Sequence, residues 1–193
     1  MDNLQTIGLP AIPEPDNPAS PQLSPLFLYI PISRLVLLSI LSLGMYEAYW
    51  IYKNWRFIKE RDPLYSFILP FWRGFFGYFY CHSLLRRIHD DSVAHSLLKP
   101  TFAPRILATG WIILMVLSNI MSRFPDITVA AMSGFLPSFL CLVPVQNYIN
   151  KVTLMRNKEE HYYRWSKGHV FCLIVGCFFW LGILLELTSV TSN

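Results

Sequence analysis

Apolar residues along this 193-residue chain gather into blocks of about twenty, and short stretches rich in lysine, arginine and aromatic rings separate them. Twenty residues of helix rise about 30 Å, the thickness of a bilayer's hydrocarbon core. The blocks therefore predict membrane-crossing helices over residues 31–52, 105–122, 127–146 and 168–188. The predicted fold class is all-α: a polytopic membrane bundle of four transmembrane helices, filling residues 31–190. The first block closes on Tyr46, Tyr49, Trp50 and Tyr52, read as an interfacial aromatic belt, with Lys53, Arg56, Lys59 and Arg61 directly after it. Helix is expected to continue to Asp62, where the ring of Pro63 disfavours the α conformation. Only a few residues separate the second and third blocks, so those two are expected to be antiparallel neighbours.

Residues 64–91 break the pattern. They carry Phe67, Phe71, Trp72, Phe75, Phe76 and Phe79, interrupted by Pro70, Arg73, Gly74 and Gly77. A crossing here would put the cations before and after it on opposite sides, so the segment reads as an interfacial or re-entrant aromatic helix. With four crossings, all of the sixteen Lys and Arg except Arg34 and Arg123 fall on one side. Cationic loops stay cytoplasmic, which predicts that both termini are non-cytoplasmic.

Composition supports the membrane class. Charged residues make up 15% and hydrophobic ones 53%, against about a quarter charged in an ordinary soluble domain. The net charge of +4 lies between apolar blocks and forms no separate basic domain. Anionic lipid headgroups are thus the expected partner, with a second copy or another membrane protein beside them, and nucleic acid is not. Residues 1–30 form a tail with six prolines among its first 25 residues, expected to be extended or disordered. No Lys or Arg occurs before Arg34, so the cationic start of a cleavable signal peptide is missing and the first block is expected to remain in the protein. Cys81, Cys141, Cys172 and Cys177 form no C-x-x-C pair and read as small buried hydrophobes.

The run Gly44-Met45-Tyr46-Glu47-Ala48-Tyr49-Trp50-Ile51-Tyr52-Lys53-Asn54-Trp55 resembles a signature found in a group of uncharacterised small bacterial inner-membrane proteins, whose first span ends in Tyr-Trp-x-Tyr-Lys-Asn-Trp. The segments Phe71-Trp72-Arg73-Gly74-Phe75-Phe76, His82-Ser83-Leu84-Leu85-Arg86-Arg87-Ile88 and Pro144-Val145-Gln146-Asn147-Tyr148-Ile149-Asn150 are similar to that group as well. The resemblance covers most of residues 35–187. It implies a bacterial inner membrane and no particular reaction. At Glu47 an uncharged residue is expected in the group.

Candidate chemistry lies in polar residues inside the blocks, since a charge at a helix centre costs ~2.5–3.5 kcal/mol on insertion scales. Glu47 is the first, with Gln146, Asn150 and Arg105 as possible polar neighbours. Arg34 and Glu186 are expected to form a structural ion pair across the first and last spans. Ala130, Gly134 and Ser138 make a small-residue stripe for close helix packing, and Pro137 and Pro144 are expected to kink that helix. His82, Arg86, Arg87 and His89 are expected to face lipid headgroups, and His161, beside Glu159 and Glu160, reads as a solvated loop. No G-x-S-x-G, H-E-x-x-H, P-loop or G-x-G-x-x-G occurs, so neither catalytic residue, cofactor nor metal is expected. The function read from these features is a non-enzymatic structural or regulatory membrane component acting through lipid or membrane-protein contacts. The alternative is a small oligomeric transporter or channel subunit with Glu47 and the kinked third span lining its path.

Overall fold

The computed structural model describes residues 25–124, 137–156 and 167–191, apart from the side chains of residues 179, 183, 186, 187, 190 and 191. Among the described residues there is no strand. The elements are α1 (Ile32–Leu41), α2 (Met45–Arg61), a 3-10 turn (Pro63–Tyr65), α3 (Pro70–Phe75), α4 (Gly77–His89), α5 (Ser92–Leu97), α6 (Pro104–Met121), a second 3-10 turn (Ser138–Cys141), α7 (Val143–Arg156) and α8 (Lys167–Thr191).

The largest departure from expectation lies in the first apolar block. Residues 31–52 do not form one helix, because the chain stops at Leu41 and reverses. The Gly44 amide donates to the Ser39 carbonyl (2.9 Å) and the Leu43 amide to the Ile40 carbonyl (3.2 Å), the paired bonds that close a helix around a left-handed residue. Leu43 (φ 49°) and Gly44 (φ 85°) both lie in that region. The Ser42 hydroxyl then accepts from the Tyr46 amide at 2.9 Å and starts α2. Beyond the reversal α2 runs back alongside the chain that led into α1. The Leu28 amide donates to Asn54 Oδ1 (3.1 Å), and the Arg61 guanidinium lies 5.4 Å from the centre of the Phe27 ring. A continuous helix over 31–52 would hold Leu28 roughly 30 Å or more from Asn54. Residues 26–61 are therefore a hairpin with both ends at the same place.

α2 is the centre of the molecule. Its buried positions, Tyr46, Glu47, Trp50, Ile51, Asn54, Trp55 and Ile58, recur at three and four residues and make one wide stripe. Tyr46 and Trp50 are fully buried, so they belong to the core and not to an aromatic belt. As expected, α2 ends at Asp62, whose backbone is extended ahead of Pro63.

Residues 62–91 form a second hairpin. α3 packs against α2 through Gly74, where an added Cβ would sit 2.6 Å from Tyr52 Cβ and 3.0 Å from the Ala48 carbonyl oxygen. The chain turns at Phe76, and α4 returns with Cys81, Leu84, Leu85 and Ile88 buried. Both ends of this hairpin meet the end of α2: Arg61 pairs with Asp91, and Arg87 pairs with Asp62 at 2.8 Å.

α6 runs beside α4 in the opposite direction. The Tyr78 ring lies tilted against Trp111 (5.8 Å between ring centres), whereas His89 meets Phe102 edge-on at 5.5 Å. Pro104 supplies the first position of α6, where its missing amide costs nothing. Of the described helices, α6 alone is both long and apolar enough to cross a membrane, and 11% of it is buried. α8 crosses the end of the first hairpin, where a Cβ on Gly176 would collide with the Leu41 carbonyl oxygen and stand 2.9 Å from Ser42 Cα.

Candidate functional site

Three polar clusters are built onto this frame. The first is centred on Glu47, which is 1% exposed. α2 turns its carboxylate between α6 and the second 3-10 turn. There Oε2 accepts from the Trp111 indole N–H, and Oε1 accepts from the Ser138 hydroxyl at 2.8 Å. Among the described residues no cation lies within ion-pair distance. Gln146 and Asn150, expected as its neighbours, are engaged elsewhere, and Arg105 lies on the groove between α4 and α6. Ser138 proves to be a hydrogen-bond donor; Ala130 and Gly134, the rest of its stripe, lie outside the described residues.

The second cluster is a clamp of side-chain amides. Asn54 Oδ1 accepts from the Leu28 amide, and Gln146 Nε2 donates to the Leu28 carbonyl at 3.0 Å. Asn150 accepts from the Ile30 amide (3.4 Å) and donates to its carbonyl (2.8 Å). Gln146 Oε1 is filled by the Trp50 indole N–H at 2.6 Å, and Gln146 Nε2 also donates to Asn150 Oδ1 at 2.7 Å. Residues 26–30 are largely buried and belong to no helix, so their main-chain groups need partners. The three amides supply them for Leu28 and Ile30. Gln146 and Asn150 are thus structural, because the hairpin brings the N-terminal segment to them.

The third cluster lies between α4 and the start of α6. His82, Ser83, Arg86, Pro104, Arg105 and Thr109 line an open groove of about 450 Å³, with Thr109 Oγ1 and His82 Nε2 3.4 Å apart. Arg86 keeps 72% of its side chain exposed and reaches Asp90 only at 3.4 Å. Asp90 is held more closely by His89 Nδ1 at 2.8 Å, a hydrogen bond that keeps its carboxyl below the ordinary value. Two of the expected headgroup residues are drawn away from this face. Arg87 points at Asp62 and lies over the Tyr65 ring (5.4 Å), because its position on α4 faces the other end of the 62–91 hairpin. His89 turns to Asp90 and Phe102.

Arg34 lies in α1, but the Glu186 side chain on which the expected pair depends, and the loop holding Glu159, Glu160 and His161, fall outside what the structure describes. Sequence reasoning missed Trp111, Asn54 and Trp50 as polar partners. Each carried a signal: a buried indole N–H needs an acceptor, and Asn54 lies on the buried stripe of α2. No group of three or more His, Cys, Asp or Glu placed to hold a metal occurs among the described residues. Comparison with protein-family models, with curated proteins and with solved structures finds no match to the chain.

Proposed function

We propose that the chain is an integral protein of a bacterial inner membrane, a non-enzymatic structural or regulatory component that works through lipid and membrane-protein contacts. The observation that carries this reading is the outward apolar surface. α6 is apolar along its length and 11% buried, the reverse of a soluble core helix. α8 exposes Phe171, Ile174, Phe178, Leu181, Leu184 and Leu185, and the 62–91 hairpin exposes Phe71, Trp72, Phe75 and Phe79. A soluble monomer rarely leaves more than a few hundred Å² of contiguous apolar surface open.

The reversal at Leu43–Gly44 changes the crossing count that this reading adopts. In place of four crossings it counts three: α6, which passes by length and composition, and, from their sequence, the apolar blocks over 127–146 and 168–188. The first of those blocks is described only as the 3-10 turn Ser138–Cys141 and the start of α7, not as the single kinked helix expected. The α1–α2 hairpin enters from the cationic side without passing through. An added Gly44 Cβ would lie 3.7 Å from Met115 Sδ, ten residues along α6 from Arg105, about 15 Å and half of the hydrocarbon thickness. The 62–91 hairpin likewise begins and ends at the cationic side. The N-terminal segment is then cytoplasmic and the C-terminus is not. Burial of Glu47 with a donor on each oxygen favours a structural role over a conduction path.

Membranes washed at alkaline pH are expected to retain the protein, and removal of detergent to aggregate it. A chain that stays monodisperse in plain buffer overturns the reading.

A further inference from the structure

We propose that the groove between α4 and α6 is a binding site for a phosphate group, carried by a lipid headgroup or free in solution. This deepens the membrane reading and rests on it for the depth at which the groove lies. Arg61 and Arg87 are matched by Asp91 and Asp62, and Arg73 is laid over Trp55 at 4.2 Å and Tyr80 at 5.0 Å. Arg86 and Arg105 are left differently. They share one concave surface with His82 and two hydroxyls, Ser83 and Thr109, and no carboxylate lines it. Arg105 has no ion pair among the described residues, and Arg86 has only the long contact to Asp90.

Two guanidinium groups on one concavity repel each other unless an anion comes between them, and their planar forks suit phosphate oxygens. Hydroxyl and imidazole donors at the rim complete a set that offers hydrogen bonds to an oxyanion from several directions. Arg105 also stands in the first turn of α6, whose cap Ala103 supplies no side-chain acceptor. A cation there opposes the helix dipole; an anion in the groove reverses that sign. The volume of about 450 Å³ falls in the range of small-molecule sites, ~300–1,000 Å³. That leaves room for a glycerol phosphate as well as a bare phosphate.

The test uses full-length protein in a zwitterionic detergent and follows binding of three probes: dioctanoyl phosphatidic acid, dioctanoylglycerol and inorganic phosphate. Phosphatidic acid is expected to bind and dioctanoylglycerol not to. Arg86→Gln with Arg105→Gln should weaken phosphatidic acid binding by about tenfold or more, the loss of one charge-assisted hydrogen bond or more. Lys151→Gln, which removes an exposed cation elsewhere, should leave it unchanged. Asp90→Asn should tighten binding two- to threefold by freeing Arg86, a gain that a damaged fold would not produce. Competition by inorganic phosphate at concentrations comparable to the lipid identifies a free phosphate as the source, and failure to compete identifies the lipid. Equal loss with Lys151→Gln, or unchanged affinity in the Arg86/Arg105 pair, overturns the site. Either result leaves the membrane reading standing, because detergent dependence is measured separately.

Discussion

At the scale of single residues, Glu47 joins three elements through two donors, and its removal leaves both without an acceptor. A buried donor with no partner costs about 1–3 kcal/mol. Glu47→Ala is therefore expected to lower stability in detergent by roughly 2–5 kcal/mol, measured by thermal or denaturant unfolding. Adding Trp111→Phe and Ser138→Ala should return much of that loss, because the stranded donors are gone. An unfolding midpoint equal to the parent's would mean that the carboxylate holds nothing together. Glu47 was legible in the sequence as a polar residue inside an apolar block, and Gln146 and Asn150 as polar residues at and beyond the end of one, whereas Ser138 reads there only as part of a small-residue stripe. Their partners were not, because pairing depends on which helices the chain reversal brings together. Gln146 and Asn150 lie one turn apart on α7, yet they bind a segment about 120 positions away.

At the scale of elements, the decisive feature is the break at residues 42–44. Ser42 and Gly44 are ordinary signals for a helix end, but a twenty-residue apolar block reads as a crossing by its length alone. The two readings give opposite signs for one substitution. In a continuous helix over 31–52, Gly44→Ala stabilises by about 1 kcal/mol. In the hairpin, alanine must adopt φ 85°, and the same change destabilises by about 1 kcal/mol or more. Unfolding of the purified variant in detergent gives the sign. The boundaries of α6 were legible to within a residue, since Pro104 and the polar residues beyond Met121 delimit a uniform apolar run. Residues 62–91, expected from charge as one interfacial or re-entrant helix, are instead a hairpin of α3 and α4, and the structure ties both of its ends to the end of α2.

At the scale of the whole molecule, one end gathers the ion pairs of Arg61, Asp62, Arg87 and Asp91, and the long apolar surfaces of α6 and α8 lead away from it. Charge asymmetry of this kind sets orientation in a membrane. Orientation follows from the number of crossings, because each crossing counted inverts the side of everything before it. Four crossings put residues 1–30 on the non-cytoplasmic face, and the three proposed above put them on the cytoplasmic one. The most direct measurement is the side on which three positions lie. In a cysteine-free background, Pro25→Cys, Ser96→Cys and Arg123→Cys would be labelled one at a time in sealed inside-out vesicles with a membrane-impermeant maleimide. The hairpin account predicts that positions 25 and 96 react from the cytoplasmic face, and that position 123 reacts only after the vesicles are opened. Protection of position 25 together with position 123, while 96 reacts, would contradict it and restore a first helix that crosses.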